Sequence, residues 1–196
     1  MLRRKPSAAA QSVSCYTYDP ENPVPTRGGN IILFTKAGPY DQSPVEQRSD
    51  VLVFTTPVLE RDIEVTGPIT MTLYASSSAR DTDFTAKLSD VHPDGQSYIL
   101  SDGIIRARYR DGFTSPTLMT PNQIYKFEIT LGATSNLFRK GHRIRLAISS
   151  SNFPQFDRNP NTGGDFATET TTNKADQTIH HSRKYPSQIT LPIIPR

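Results

Sequence analysis

Gly67-Pro68-Ile69-Thr70-Met71-Thr72-Leu73-Tyr74-Ala75 is a turn pair followed by apolar residues at every second position. A period of two belongs to a strand with one greasy and one polar face, not to a helix. The same pattern recurs downstream. Phe84, Ala86 and Leu88 alternate with Thr85, Lys87 and Ser89. Ile105, Ala107 and Tyr109 alternate with Arg106, Arg108 and Arg110. Tyr125, Phe127, Ile129 and Leu131 alternate with Lys126, Glu128 and Thr130, and Ile144, Leu146 and Ile148 with Arg143, Arg145 and Ala147. Val51-Leu52-Val53-Phe54 is a further short strand. The joints carry turn chemistry: His92-Pro93-Asp94-Gly95, Asp102-Gly103, Asp111-Gly112 and Lys140-Gly141. About eight or nine short strands at this spacing, with no helical stripe, predict an all-β fold: a jelly-roll β-sandwich.

Outside these strands the chain changes character. Residues 1–15 are basic, then small and polar, and read as a linker or disordered terminus. Residues 16–196 read as one domain. Its first part, through Asp50, is rich in Pro, Gly and Asp, which favours extended and turn geometry. Residues 152–176 read as a long loop. Ile189-Thr190-Leu191-Pro192-Ile193-Ile194 reads as a closing strand that Pro192 confines to an edge or bulge.

Composition narrows the function classes. The 196 residues are 35% hydrophobic and 21% charged, which suits antiparallel sheets with a wet face. Net charge is +3, with 15 Arg among 22 basic residues and no long basic block, so no nucleic-acid partner is expected. Cys15 is alone, which excludes an intrachain disulfide and a cysteine zinc site. No apolar run approaches the length of a membrane span, so no membrane partner is expected. Arg3-Arg4-Lys5 is followed by no hydrophobic leader segment, which leaves the compartment open and favours the cytoplasm.

The motifs of chemistry are missing. The nearest approach to a Gly-x-Ser-x-Gly elbow is Gly95-Gln96-Ser97-Tyr98-Ile99, which lacks the second Gly and sits in a strand-like run. Gly28-Gly29 and Gly163-Gly164 lack the rest of a phosphate loop. Neighbours on a strand point to opposite faces, so His180-His181 does not read as a metal pair. Asp81-Thr82-Asp83 lacks the remaining ligands of a calcium loop and reads as turn or ion-pair chemistry. No catalytic residue, metal or cofactor is expected. Arg106, Arg108 and Arg110, roughly 7 Å apart along one strand face, read as an ion-pair or interdomain face rather than an anion stripe. Ile31-Ile32-Leu33-Phe34 reads equally as a strand sealing the sandwich or as a patch meeting a ligand or another surface.

A longer string of segments is more specific. YTYDPENPVPTRGGN (16–30), RSDVLVFTTPVLERDIEVTGP (48–68), DTDFTAKLSDVHPDG (81–95), GIIRARYR (103–110) and FRKGHRIRLAISSSNFPQFDRNPNTGG (138–164) follow in order. Together they resemble the C-terminal, non-catalytic domain of the X-Pro dipeptidyl-peptidase family, in its branch of cocaine esterase-like acyl hydrolases and α-amino acid ester hydrolases. The resemblance covers roughly residues 16 to 194. It implies a galactose-binding-like jelly roll that packs against an α/β-hydrolase domain and a helical cap. Those partners hold the Ser-Asp-His triad, and nothing here corresponds to it. The resemblance further implies that Leu33 and Phe34 reach the substrate pocket, and that Asp81, Asp83, His142, Arg143, Arg158, Asn159 and Asn161 are structural. The Met1 start and the linker-like residues 1–14 read as a fragment cut at a domain boundary, with a natural stand-alone gene product as the alternative expectation.

The expected role is an accessory domain that stabilises a serine hydrolase and closes one side of its pocket. Alone, such a piece exposes its interface and is open to homodimerisation. The rival is a carbohydrate-binding jelly roll using Tyr40, Phe153, Phe156 and Phe166, against which stands the absence of Trp.

Overall fold

The computed structural model describes residues 12–31, 37–166 and 168–195. Two antiparallel sheets form a sandwich. Strands β1 (Val13–Tyr18), β3 (Ile63–Ser77), β6 (Tyr125–Phe138), β8 (Ala175–His180), β9 (Gln188–Thr190) and β10 (Ile193–Ile194) make one sheet. Strands β2 (Leu52–Thr55), β4 (Asp83–Val91), β5 (Ser97–Arg106) and β7 (Arg143–Ser149) make the other, in the order β2-β7-β4-β5. The chain crosses between sheets at most connections, the winding of a jelly roll. Helical structure among the described residues is one short turn, α1 (Ser43–Glu46), and a 3-10 turn at Ala107–Tyr109.

The alternating residues of the sequence dictate the core. Ile69, Met71 and Leu73 of β3 and Phe127, Ile129 and Leu131 of β6 face Phe84 and Leu88 of β4 and Ile148 of β7, all buried. Each such side chain contributes roughly 1.5–3 kcal/mol by leaving water. The Phe84 and Phe127 rings meet at 4.9 Å between centroids, joining the sheets. On one flank the sheets come closer still. Ser101 Oγ of β5 donates to the Leu131 carbonyl, and a Cβ added at Gly103 would collide with the Thr130 carbonyl.

Three expectations need correction. The last residues of the segment expected as a linker, 1–15, are strand: Val13, Ser14 and Cys15 pair with His180, Ile179 and Thr178 as part of β1. Tyr16 and Tyr18 bury their rings on the core side, and that anchors the strand. Within the loop expected at 152–176, β8 already starts at Ala175. The arginines do not share a strand face. β5 ends at Arg106, where the Ala107 N–H donates to the Thr82 carbonyl (2.9 Å) and the Arg108 N–H to Asp81 Oδ1 (2.9 Å), curling the chain into a turn. The closing run 189–194 does break at Pro192, whose carbonyl accepts from the Thr66 N–H at 3.0 Å.

Candidate functional site

At one end of the sandwich the turn after β5 turns its arginines inward. Arg106 and Asp83 are cross-strand partners, and the guanidinium grips the carboxylate with two bonds of 2.9 Å. Arg108 Nε donates to Asp81 Oδ2 at 2.7 Å and its Nη2 to the Gly164 carbonyl at 2.9 Å. Asn159 Nδ2 bridges both carboxylates, at 3.1 Å from Asp81 and 2.8 Å from Asp83. The Phe166 ring lies against both guanidinium carbons, at 3.7 Å from Arg106 and 4.5 Å from Arg108. Arg110 donates to the carbonyls of Ala107 and Thr117 and covers the Tyr125 ring. Burial pushes the Asp83 carboxyl up to about 6, against the pull of Arg106 and Asn159. The network has charged hydrogen bonds on every acidic oxygen of Asp81 and Asp83. Its chemistry is that of a clamp tying β4, β5 and the 157–166 loop together.

Next to the clamp, Phe113 is 82% exposed and packs its ring near Tyr109, 5.7 Å between centroids. Leu33 and Phe34 lie outside the described residues. Ser97, in the near-elbow motif, is buried, and its Oγ donates to Glu46 at 2.7 Å. His180 and His181 turn to different partners: His180 Nε2 to Ser76, His181 to Ser12 and Ser14. Burial lowers the pKa of both imidazoles.

The outer face of the four-stranded sheet is roofed rather than wet. Thr85, Lys87 and Ser89 are buried, and Lys87 lines a small cavity together with Val24, Gln42, Val45 and Glu46. The roof is fastened by backbone bonds between Val24 and Phe153 and between Gln42 and Ser97, and by Arg145 to Glu46 at 2.6 Å. Lys87 sits opposite Asp102 in the β4–β5 ladder, and its Nζ makes no hydrogen bond among the described residues. Burial pulls the Lys87 pKa down to about 8, against the attraction of Asp102 and Glu46.

At the far end of the same sheet the fold gathers Asp90, His92 and His142. In the sequence His142 reads as structural and His92 only as the opening of a turn. Asp90 and His142 are 52 residues apart, and only the β4–β7 pairing brings them together. The Asp90-x-His92 spacing before a hairpin was the one local signal.

Comparison with known proteins agrees with the sandwich. A family model described as the X-Pro dipeptidyl-peptidase C-terminal non-catalytic domain matches residues 2–190. The chain belongs to that family. A curated relative, the cocaine esterase of Rhodococcus sp. (strain MB1 Bresler), is 48% identical over 192 residues, covering 96% of this chain and 33% of the esterase. An aminopeptidase structure from a marine sediment Thaumarchaeota archaeon superposes with a TM-score of 0.90 at 33% identity, over 97% of this chain and 34% of that one. An α-amino acid ester hydrolase structure gives 0.89 at 34% identity, again over 97% and 34%. This X-Pro dipeptidyl-peptidase-type domain thus spans about a third of the length of the proteins it matches, and the match is to a part described as non-catalytic.

Proposed function

We propose that the chain is the accessory part of a serine acyl hydrolase or X-Pro dipeptidyl-peptidase. In this reading an α/β-hydrolase domain and a cap of the parent polypeptide carry the Ser-Asp-His triad. The sandwich fixes them relative to each other and closes one side of the substrate pocket. The observation that supports it is coverage: nearly all of this chain corresponds to a third of each hydrolase relative. Catalysis gains from such a part through positioning and exclusion of water, not through new reacting groups. Leu33 and Phe34 are the proposed apolar wall of the pocket. The proposed interdomain face is the end built on Arg106, Arg108 and Arg110. There the guanidiniums brace the loop internally and Phe113 offers the apolar contact. Without its partner domains the chain is proposed to self-associate through the same apolar residues.

The test has two arms. The chain alone, assayed against activated esters, is expected to show background turnover; hydrolysis abolished by a serine-directed inhibitor overturns the reading. Added in trans to the Rhodococcus esterase truncated of its matching third, the chain is expected to raise the thermal midpoint of the truncated enzyme. Phe113→Asp is expected to weaken that rescue.

A further inference from the structure

We propose that Asp90, His92 and His142 form a binding site for one transition-metal ion of the zinc class. The donor atoms of the three side chains all lie within 4.8 Å of one another. Asp90 Oδ1 is 2.9 Å from His142 Nδ1, and Asp90 Oδ2 is 3.8 Å from His92 Nε2. A tetrahedral ion with bonds of about 2.0–2.1 Å holds its ligands about 3.4 Å apart. These two spacings, one to each oxygen of the carboxylate, lie on either side of that value, and no donor pair is more than 4.8 Å apart, so rotation of the imidazoles and the carboxylate has to close gaps of at most about 1.4 Å. The rings already lie together, 4.4 Å between centroids.

The backbone fixes each donor independently. Asp90 is in the β4 ladder, opposite Ile144 of β7 and Tyr98 of β5. His92 opens the β4–β5 turn, donating its N–H to the Gln96 carbonyl and accepting from the Gly95 N–H, both at 2.9 Å. His142 ends the turn before β7, donating to the Arg139 carbonyl at 3.0 Å and accepting from the Leu59 N–H at 2.8 Å. A preformed site of this kind loses little freedom when an ion arrives.

The donor set selects the ion. Two imidazoles and one carboxylate suit Zn²⁺, Co²⁺, Ni²⁺ or Cu²⁺; Ca²⁺ and Mg²⁺ take oxygen cages instead. The Asp90 side chain is 8% exposed and His142 12%, while His92 is 40% exposed. The site is therefore walled on the protein side and open past His92, leaving the fourth position to water or an anion. Bound there, the ion cross-links the β4–β5 hairpin to the turn before β7, at the end opposite the arginine clamp.

The 196-residue chain, stripped with EDTA and titrated calorimetrically with zinc chloride, is expected to take one ion per chain. His92→Ala, a change at an exposed turn position, is expected to weaken binding by about tenfold or more, with unchanged circular dichroism. His180→Gln is expected to titrate like wild type. In a parallel NMR experiment Co²⁺ is expected to shift and broaden the His92 and His142 imidazole signals. Failure of the wild-type chain to bind zinc overturns the proposal, as does wild-type affinity in His92→Ala. Co²⁺ perturbation centred on His180 and His181 overturns it equally.

Discussion

In β6, Lys126, Glu128 and Thr130 stand in solvent between buried Phe127, Ile129 and Leu131. In β4, Thr85, Lys87 and Ser89 alternate just as regularly with Phe84, Ala86 and Leu88, yet every residue from Asp83 to Val91 is buried. The inner faces of the two strands share one apolar core. The outer faces differ because β6 has water above it and β4 has a roof that includes Val24, Gln42, Val45 and Glu46. The roofed face is a second, polar core. Its Thr85 hydroxyl bonds to Ser149 at 2.6 Å, and Asn152 donates to Asp102 at 2.9 Å. Buried polar groups of this kind stabilise a unique arrangement when partnered and cost free energy when they are not. Alternation therefore reports which residues face the sandwich core, but not whether the other face is wet.

The largest expected effect tests the sameness of the inner faces. Phe84→Ala and Phe127→Ala should each cost about 3–5 kcal/mol in urea unfolding, since both rings are fully buried and touch each other. A marked inequality would show that the core is not shared evenly between the sheets.

The next effect separates the outer faces. Lys87 titrates near 8 in the folded chain and near 10.5 when unfolded. Between those values the unfolded chain holds the proton and the folded chain has lost it, so stability rises with pH. Below about 8 the cost of burying the charge is present in full. The difference between wild type and Lys87→Met should accordingly shift by about 3 kcal/mol from pH 8 to pH 10.5, in favour of the wild type as pH climbs. The same comparison for Lys126→Met on β6, where Glu128 holds the exposed ammonium's pKa up, should show no gain for the wild type as pH climbs.

Gly103→Ala probes the flank where the sheets touch. The new methyl meets the Thr130 carbonyl of β6, a backbone atom that cannot swing aside. A loss of about 1–3 kcal/mol is expected by thermal or urea unfolding, and a neutral result would mean that β5 and β6 are further apart in solution. The smallest effect belongs to the wet face of β6: Thr130→Ser should leave the unfolding midpoint within about 0.5 kcal/mol of wild type.

Much of this was legible in the residues. β3, β6 and β7 follow the period of two closely, and Pro192 marks the break between β9 and β10. β8 was hidden because Gln177 stands at one of its inward positions, where it donates to Thr82 Oγ1 at 2.9 Å instead of packing a hydrocarbon. β1 was hidden among prolines and polar residues, although Tyr16 and Tyr18 hold its inward positions. The arginine run kept strand periodicity in sequence past the point where Asp81 and Thr82 capture the backbone and bend it. The Asp90, His92 and His142 cluster left only the Asp90-x-His92 spacing as a trace, since His142 joins it from the turn before β7, 52 residues from Asp90.

By itself, the sequence determined the all-β sandwich, the residues of its inner core and its family, because side-chain alternation and long motif strings are local properties of the chain. Tertiary structure alone decided which polar face lies under a roof, which carboxylate each arginine grips and where two distant histidines meet one aspartate. Those outcomes depend on which strands become neighbours and which loops fold over them, and contacts between residues far apart in the chain leave no periodic mark on it.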